Sequence, residues 1–305
     1  MVIVVIRRLW LYLNFRLLLP VSADRLLGLA QWLTALRGWV SYLLNADWRS
    51  VVHQDAFLHL RTQEALEIIR PNLQILRVSD RYVAQAREEW VAERLIQNTL
   101  DGSADFDAAI KERIHAIAPT QGIIYATIHW AESTVASAFL GDLGRPTWVM
   151  NSSFVESEAM PPAIRRHYRA KYRAMNQRLT PGRCVPIEQG IRPFMRHLQH
   201  GGAVAMTVDI PGSSSSGISE EWFGRTCQIT PGMRHLAART ASVIIPYVAR
   251  WHRDGWQFQF AGRDEPPYEF FEHVIFNEPT AWWAADLLPL ALQASASPVN
   301  QESRL

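Results

Sequence analysis

The sequence predicts an α/β fold, with a mostly parallel sheet flanked by helices on both faces and a helical region before it. After residue 119, short apolar segments alternate with segments of helical periodicity, which is the pattern of parallel strands joined by helical crossovers. Between about residues 24 and 100, apolar residues recur at helical spacing instead. Hydrophobic residues make up 48% of the 305 residues, enough for a sizeable core.

The first twenty residues, MVIVVIRRLWLYLNFRLLLP, are strongly apolar but contain arginines inside the run. A spanning helix needs about 20 apolar residues with few charges, and a signal peptide carries its charges before the run. An interfacial helix whose arginines reach lipid phosphates fits better. The alternatives are a buried N-terminal helix and a single span with Arg7 and Arg8 at its cytoplasmic end. We expect residues 1–44 to form membrane-associating helices.

Several helices should follow, with breaks near residues 45–47 and at Pro71. A turn is predicted at residues 101–103, and another helix after it to about Ala116. Residues 294–305 have the composition of a disordered tail.

The elements after residue 119 can be assigned in order from their periodicity and their turn residues. We predict strands at 122–128, 147–150, 203–208 and 242–250, the last of which could pair with 256–260. Helices are predicted at 132–140, 162–179 and 187–199, and a further helix begins at Thr230 and Pro231.

Charge and cysteine content exclude several classes of protein. A net charge of +2 does not indicate a nucleic-acid-binding protein. Cys184 and Cys227 form no disulfide framework and have no zinc-ligand spacing, so a reducing cytosolic environment fits best.

His129 is the leading candidate for a catalytic residue because it directly follows the predicted strand 122–128. In open α/β sheets, ligands bind beyond the carboxyl ends of the strands, and a histidine there can act as a general base. Glu132 is three residues away and could orient the imidazole if the next helix begins near His129. The alternative is a histidine that only caps that helix.

Residues 203–250 contain an ordered set of features. These are Asp209 after a strand, the loop 211–217 (PGSSSSG), the segment Trp222, Phe223 and Gly224, the pair Thr230 and Pro231, the pair Arg239 and Thr240, and a strand with Pro246. The set resembles the lipid A biosynthesis acyltransferases, the family of lauroyl and myristoyl transferases. Upstream, IHWAEST is similar to the family's box of a histidine, four residues and an acid. The resemblance covers about residues 120–262.

The resemblance implies an acyltransferase domain at 45–293, with a helical lead-in to about residue 118. Such an enzyme moves a fatty acyl chain from acyl carrier protein or acyl-CoA to a hydroxyl or amine of a lipid or glycolipid. His129 would be the base, backbone N–H groups would hold the oxyanion, and no metal or cofactor would be needed. The implied location is the cytoplasmic face of the bacterial inner membrane, by peripheral attachment or a single N-terminal anchor.

The sequence departs from the family pattern in two places. Thr134 stands where the box has its acid, and Asn151 and Ser152 stand where the family has an arginine after the next strand. We expect substrate to contact a set of six residues, which comprises Thr134, Asn151, Ser152, Asp209, Arg225 and Thr230. The alternative function is a catalytically degraded relative that binds lipids or acyl chains.

The serine-rich loop 211–217 does not match the G-x-S-x-G motif of serine hydrolases. It either faces the substrate or is an ordinary solvent-exposed loop.

The predicted helix 162–179 carries a row of cations, Arg165, Arg169 and Arg173, at helical spacing. Because residues 163–178 contain no acid, the row suits an acidic acyl carrier protein or anionic lipid headgroups. The alternative is a solvated helix face. On the same helix, Tyr168, Tyr172 and Met175 should face the core.

Overall fold

The computed structural model describes residues 2–23, 27–49, 58–69, 77–100, 104–213, 215–252 and 255–296. The break predicted at Pro71, the turn at 101–103 and the tail beyond Ala296 lie outside these residues. The α-helices are α1 (Val2–Leu13), α2 (Leu19–Ala23), α3 (Leu27–Leu43), α4 (Leu58–Ile69), α5 (Val78–Ile96), α6 (Ala108–His115), α7 (Ser133–Ala136), α8 (Pro162–Leu179), α9 (Arg192–Gln199), α10 (Gly232–Thr240), α11 (Pro267–Asn277) and α12 (Leu288–Ala296).

In the described part of the chain, eight strands form one six-stranded sheet and one hairpin. They are β1 (Ile123–Thr127), β2 (Thr147–Asn151), β3 (Arg183–Pro186), β4 (Ala203–Thr207), β5 (Ile218–Trp222), β6 (Arg225–Ile229), β7 (Val243–His252) and β8 (Gly255–Phe260). The sheet has the order β3-β2-β4-β1-β7-β8, and every neighbouring pair is parallel except β7 and β8. This confirms the predicted α/β class with a mostly parallel sheet.

Helices cover both faces of the sheet, so the central strands are apolar on both sides. In β1, Ile123 and Tyr125 belong to one core cluster, which also contains side chains of α6 and α8. Ile124 and Ala126 belong to the opposite cluster, which contains side chains of α9, α10 and α11. The continuous burial of β1 follows from this two-sided packing.

The sheet topology brings two distant segments together at one edge. Strands β1 and β4 are adjacent and parallel, with Thr127 opposite Thr207. His129 and Asp209 each come two residues after these positions. The register therefore places both residues side by side at the carboxyl edge, where open α/β sheets bind ligands.

Several elements differ from the prediction. The helix predicted at 187–199 begins as α-helix only at Arg192, because Gly190, at φ +86°, interrupts it. The helix predicted at 132–140 is a single α-turn, α7, which continues as 3-10 helix over Ser137–Leu143. Helix α10 begins at Gly232, so Pro231 rather than Thr230 is its N-cap residue, and no side-chain cap is present.

The hairpin of β5 and β6 was not predicted. Its turn consists of Phe223 at φ +54° and Gly224 at φ +66°. Positive φ at both central residues is the type I′ geometry that matches the twist of two antiparallel strands. The family-like segment of Trp222, Phe223 and Gly224 is thus the tip of a hairpin.

The N-terminal helices pack on α5 through buried polar contacts. The Arg37 guanidinium on α3 donates to Asn14 Oδ1 at 2.6 Å and to Glu89 Oε2 of α5 at 2.8 Å. Burial outweighs the attraction of Arg37 and raises the pKa of Glu89 to about 7. This buried pair joins the predicted membrane-associating region to the rest of the chain.

The other side of the N-terminal helices is exposed and apolar. One face of α3 carries Leu29, Trp32, Leu36, Trp39 and Leu43, at spacings of three and four residues, and all five are exposed. Most of α1 is exposed as well. Among the described residues, none of the helices is both long and apolar enough to cross a bilayer.

Candidate functional site

His129 and Asp209 form a direct side-chain pair at the carboxyl edge of the sheet. Nδ1 of His129 lies 2.8 Å from Oδ1 of Asp209. The backbone N–H of His129 donates to Oδ2 of the same carboxylate at 2.9 Å. A carboxylate that accepts from Nδ1 fixes the tautomer in which Nε2 carries the lone pair. Within the described part of the chain, no hydrogen bond uses Nε2 of His129.

Asp209 is completely buried but remains ionised because its oxygens meet several donors. Trp282 Nε1–H donates to Oδ2 at 2.8 Å, beside the backbone N–H of His129. Burial alone would raise the pKa of Asp209, but His129 and these hydrogen bonds more than offset burial and lower it. The resulting carboxylate can stabilise an imidazolium formed on His129.

The imidazole is enclosed on one side and open on another. The Trp283 ring packs against it edge-on, with ring centroids 4.7 Å apart, and the Trp283 backbone N–H donates to His129 O at 3.0 Å. The His129 side chain nevertheless keeps 19% of its surface exposed. A histidine whose Nδ1 is held and whose ring remains reachable can take a proton from a bound hydroxyl or amine.

Glu132 does not hold His129, which corrects the expectation from their spacing. The expectation requires a helix that begins near His129, but Ala131 adopts φ +44° and α7 begins only at Ser133. Glu132 instead accepts from Arg87 Nε at 2.6 Å and from the Trp251 backbone N–H at 3.0 Å. Its pKa is raised mainly by burial, and Arg87 partly counteracts that effect.

Thr134 lies in a buried polar cluster with α5 and α8. Its hydroxyl donates to Glu88 Oε1 at 2.5 Å, and Lys171 Nζ donates to the same oxygen at 2.5 Å. Lys171 holds the pKa of Glu88 below its usual range, although burial alone would raise it. The Thr134 hydroxyl is therefore already hydrogen-bonded inside the protein. Its contact with substrate stays a prediction.

Asn151 is the last residue of β2 and Ser152 follows it, at the same edge of the sheet as His129. Strand β4 separates β2 from β1, so two strand spacings, about 10 Å, lie between their ends. The Ser152 hydroxyl donates to Glu188 Oε1 at 2.6 Å. Asn151 Oδ1 is buried without a hydrogen-bond partner among the described residues.

Arg225 is the first residue of β6, and Thr230 directly follows its last residue. The Thr230 backbone N–H donates to Ile210 O at 3.0 Å, directly beside Asp209. Arg225 is exposed at the turn of the hairpin, about 13 Å along the strand from Ile229. The structure thus brings Thr230 near the His129–Asp209 pair, whereas Arg225 belongs to the far end of the hairpin.

The predicted row on α8 lines a surface groove with Pro162, Arg166 and Ala170. Arg169 pairs with Glu156, and Arg165 donates to Met160 O at 3.0 Å. In this groove Arg166, Arg169 and Arg173 are exposed, whereas Arg165 is only partly exposed. The row predicted from the sequence did not include Arg166. As expected, Tyr168 and Met175 are buried and Tyr172 is partly buried.

No group of three or more histidine, cysteine or acidic side chains in the described residues could hold a metal ion.

The chain was compared with known proteins and protein families. No curated protein matches the chain significantly. A family model described as bacterial lipid A biosynthesis acyltransferase matches residues 111–282, more than half of the chain. The match includes His129, Asp209 and Trp282 together with the whole parallel sheet. The chain is therefore an acyltransferase that acts on a lipid acceptor, and it belongs to the bacterial lipid A biosynthesis acyltransferase family.

Proposed function

We propose that this enzyme transfers a fatty acyl chain from an acyl thioester to a hydroxyl or amine of a lipid or glycolipid, with His129 as the general base. The observation that carries the proposal is the His129–Asp209 pair at the carboxyl edge of the sheet. A catalytically degraded relative would have no reason to keep the base held by an ionised buried carboxylate, because burying that charge costs stability.

The proposed reaction is a direct transfer without an acyl-enzyme. Nε2 of His129 takes the proton of the acceptor, whose oxygen or nitrogen attacks the thioester carbonyl. Asp209 stabilises the imidazolium that forms. When the tetrahedral intermediate collapses, the carbon–sulfur bond breaks and the imidazolium returns its proton to the leaving thiolate. His129 is then ready for the next turnover.

The test of this proposal is a reconstituted transfer assay. Purified protein is incubated with an extract of bacterial lipids and with one of two donors, an acyl carrier protein thioester or acyl-CoA. The lipid products are identified by mass spectrometry. We expect an acceptor lipid heavier by one acyl chain. Absence of such a product with both donors, in extracts that contain lipid A precursors, would contradict the proposal.

We further propose that the N-terminal helices attach the enzyme to the cytoplasmic face of the bacterial inner membrane. The exposed apolar face of α3 supports this attachment. The described residues of α1, α2 and α3 contain no acid, and Arg8 and Arg16 are exposed. An apolar face beside cations suits the boundary of an anionic bilayer.

Replacing Trp32 and Trp39 together by glutamate should release much of the enzyme from vesicles that contain anionic lipid. Both indoles are exposed, Trp32 by 60% of its surface, so the fold should survive. Vesicle co-sedimentation measures the bound fraction. The control is Phe276→Glu, which changes an exposed aromatic residue on α11. Equal binding of the tryptophan variant and the wild type would contradict the proposed attachment.

For the donor, we propose an acyl carrier protein that docks on the α8 groove. The groove offers exposed Arg166 and Arg173 to an acidic partner, beside the ion pair of Arg169 with Glu156. Helix α8 follows β2 and leads back to the start of β3, so its first turns lie toward the carboxyl edge. A carrier protein docked there would be near the edge that holds His129.

The double variant Arg166→Glu/Arg173→Glu should raise the KM for the carrier-protein thioester about tenfold or more and change kcat little. Surface charges act mainly on encounter, and salt screens them over about 8–10 Å. Raising the salt concentration should therefore weaken the wild type toward the variant. The matched control is Arg192→Glu/Arg196→Glu, which reverses two exposed arginines on α9. An equal KM in both double variants would leave the groove as a solvated helix face.

A further inference from the structure

The chain returns to the catalytic edge after α11 and runs antiparallel to the residues that follow β1. The Ala131 backbone N–H donates to Ala281 O at 2.9 Å, and the Trp283 N–H donates to His129 O at 3.0 Å. Trp130 and Trp282 form an isolated antiparallel bridge between these two hydrogen bonds. The backbone of Trp282 is thus fixed relative to His129, although the two are 153 positions apart in the sequence.

Buried charged side chains hold this returning segment. The carbonyl oxygen of Trp283 accepts from Arg81 Nε at 2.7 Å and from Arg49 Nη2 at 3.4 Å. Arg81 is itself held between Asp47 and Asp286, at 2.8 and 3.3 Å. Removing one partner of such a fully buried charge is strongly destabilising, so these contacts stabilise the observed position of the returning segment.

The side chain of Trp282 reaches the carboxylate that holds the base. Its Nε1–H donates to Asp209 Oδ2 at 2.8 Å, and both side chains are buried. The indole packs against the stacked rings of Trp222 and Phe223, with centroids 5.1 Å from Trp222 and 6.2 Å from Phe223. Oδ2 therefore meets two donors from fixed positions, while Oδ1 is left for Nδ1 of His129.

We propose that Trp282 is a positioning residue, whose indole N–H fixes the Asp209 carboxylate so that it holds His129 in the Nδ1–H tautomer. The terminal torsion of an aspartate is broad, so a carboxylate without this donor can rotate away from Nδ1. The bond is charge-assisted and buried, hence among the stronger kinds. The effect on rate rests on the proposed function of His129, but the effect on the tautomer does not.

The test is Trp282→Phe, with Trp222→Phe as the matched control. Both substitutions remove a buried indole from the same aromatic group, but Trp222 Nε1 has no hydrogen-bond partner among the described residues. Nitrogen NMR of labelled histidine, assigned with His129→Ala, reports the tautomer of His129. We expect Nδ1–H in the wild type and in Trp222→Phe, and a mixture of tautomers in Trp282→Phe. The kcat of Trp282→Phe should fall roughly tenfold, with KM little changed.

The wild type provides a check that does not depend on the stability of Trp282→Phe. The indole N–H proton of Trp282 should resonate downfield of that of Trp222, because it is bonded to a carboxylate, and Asp209→Asn should reduce that difference. Equal shifts in the wild type would overturn the proposal.

The outcomes separate this inference from the proposed function. If His129→Ala is inactive but Trp282→Phe matches Trp222→Phe in tautomer and kcat, the positioning role is wrong and the general base stands. If His129→Ala stays active while Trp282→Phe alters the tautomer, the positioning role stands and the general base is wrong.

Discussion

Replacing His129 by alanine is expected to lower acyl transfer about 10²–10⁴-fold, the range that general acid–base catalysis contributes. The loss should appear in kcat, because the base acts on an acceptor that is already bound. The measurement is the initial rate of lipid acylation by purified protein at saturating donor. Because the substitution also removes the Nδ1 partner of the buried Asp209 carboxylate, the variant should unfold at a lower temperature than the wild type, so both rates are measured well below the unfolding temperature of the variant.

The matched control is His115→Ala, which removes an exposed histidine at the end of α6 and should leave the rate unchanged. Near wild-type transfer by the His129 variant would show that the base is a different group.

Asp209→Asn is expected to lower kcat by a similar factor and also to reduce stability. The buried carboxylate faces three donors, which are the backbone N–H and Nδ1 of His129 and the indole of Trp282. An amide offers one acceptor oxygen and an NH₂ group, so at least one donor loses its partner, at a cost of about 1–3 kcal/mol. The imidazole is then free to adopt the other tautomer, which leaves no lone pair on Nε2.

The same carboxylate gives a pH dependence of stability with a definite sign. The pKa of Asp209 in the folded protein is lowered from its ordinary value of 3.8. The ionised form therefore stabilises the fold above pH 3.8, and this contribution is lost as the pH falls below that value. When thermal unfolding is measured at decreasing acidic pH, the Tm of Asp209→Asn should fall less than the Tm of the wild type. A steeper loss in the variant would contradict the assignment.

The hydrophobic periodicity of the sequence was enough to predict the elements in which that periodicity is strong. The alternation after residue 119 predicted β1, β2, β4 and β7, and the position of His129 at the end of a strand followed from it. The edge strand β3 was not predicted, because four residues are too few to show a clear periodicity. The hairpin was not predicted either, because phenylalanine does not favour the positive φ that Phe223 adopts in its turn. Helices α11 and α12 were also not predicted.

The partner of His129 could not be found from spacing along the chain. The spacing of three residues predicts Glu132 as the partner of His129. The positive φ of Ala131 interrupts the helix that this spacing requires, and Glu132 contacts Arg87 instead. Asp209 is 80 residues away and was expected to contact substrate. The usable signal was topological: if β1 and β4 are adjacent, residues just after their ends lie side by side. The sequence contains both strands but not their adjacency.

The most direct test of the account compares kcat for Asp209→Asn and Glu132→Gln in the same acylation assay. Glutamine can still accept from Arg87 or from the Trp251 N–H, so Glu132→Gln preserves most of its contacts and does not touch His129. We expect Asp209→Asn to lose transfer about 10²–10⁴-fold while Glu132→Gln stays within a few-fold of the wild type. Loss of transfer in Glu132→Gln together with an active Asp209→Asn would contradict it.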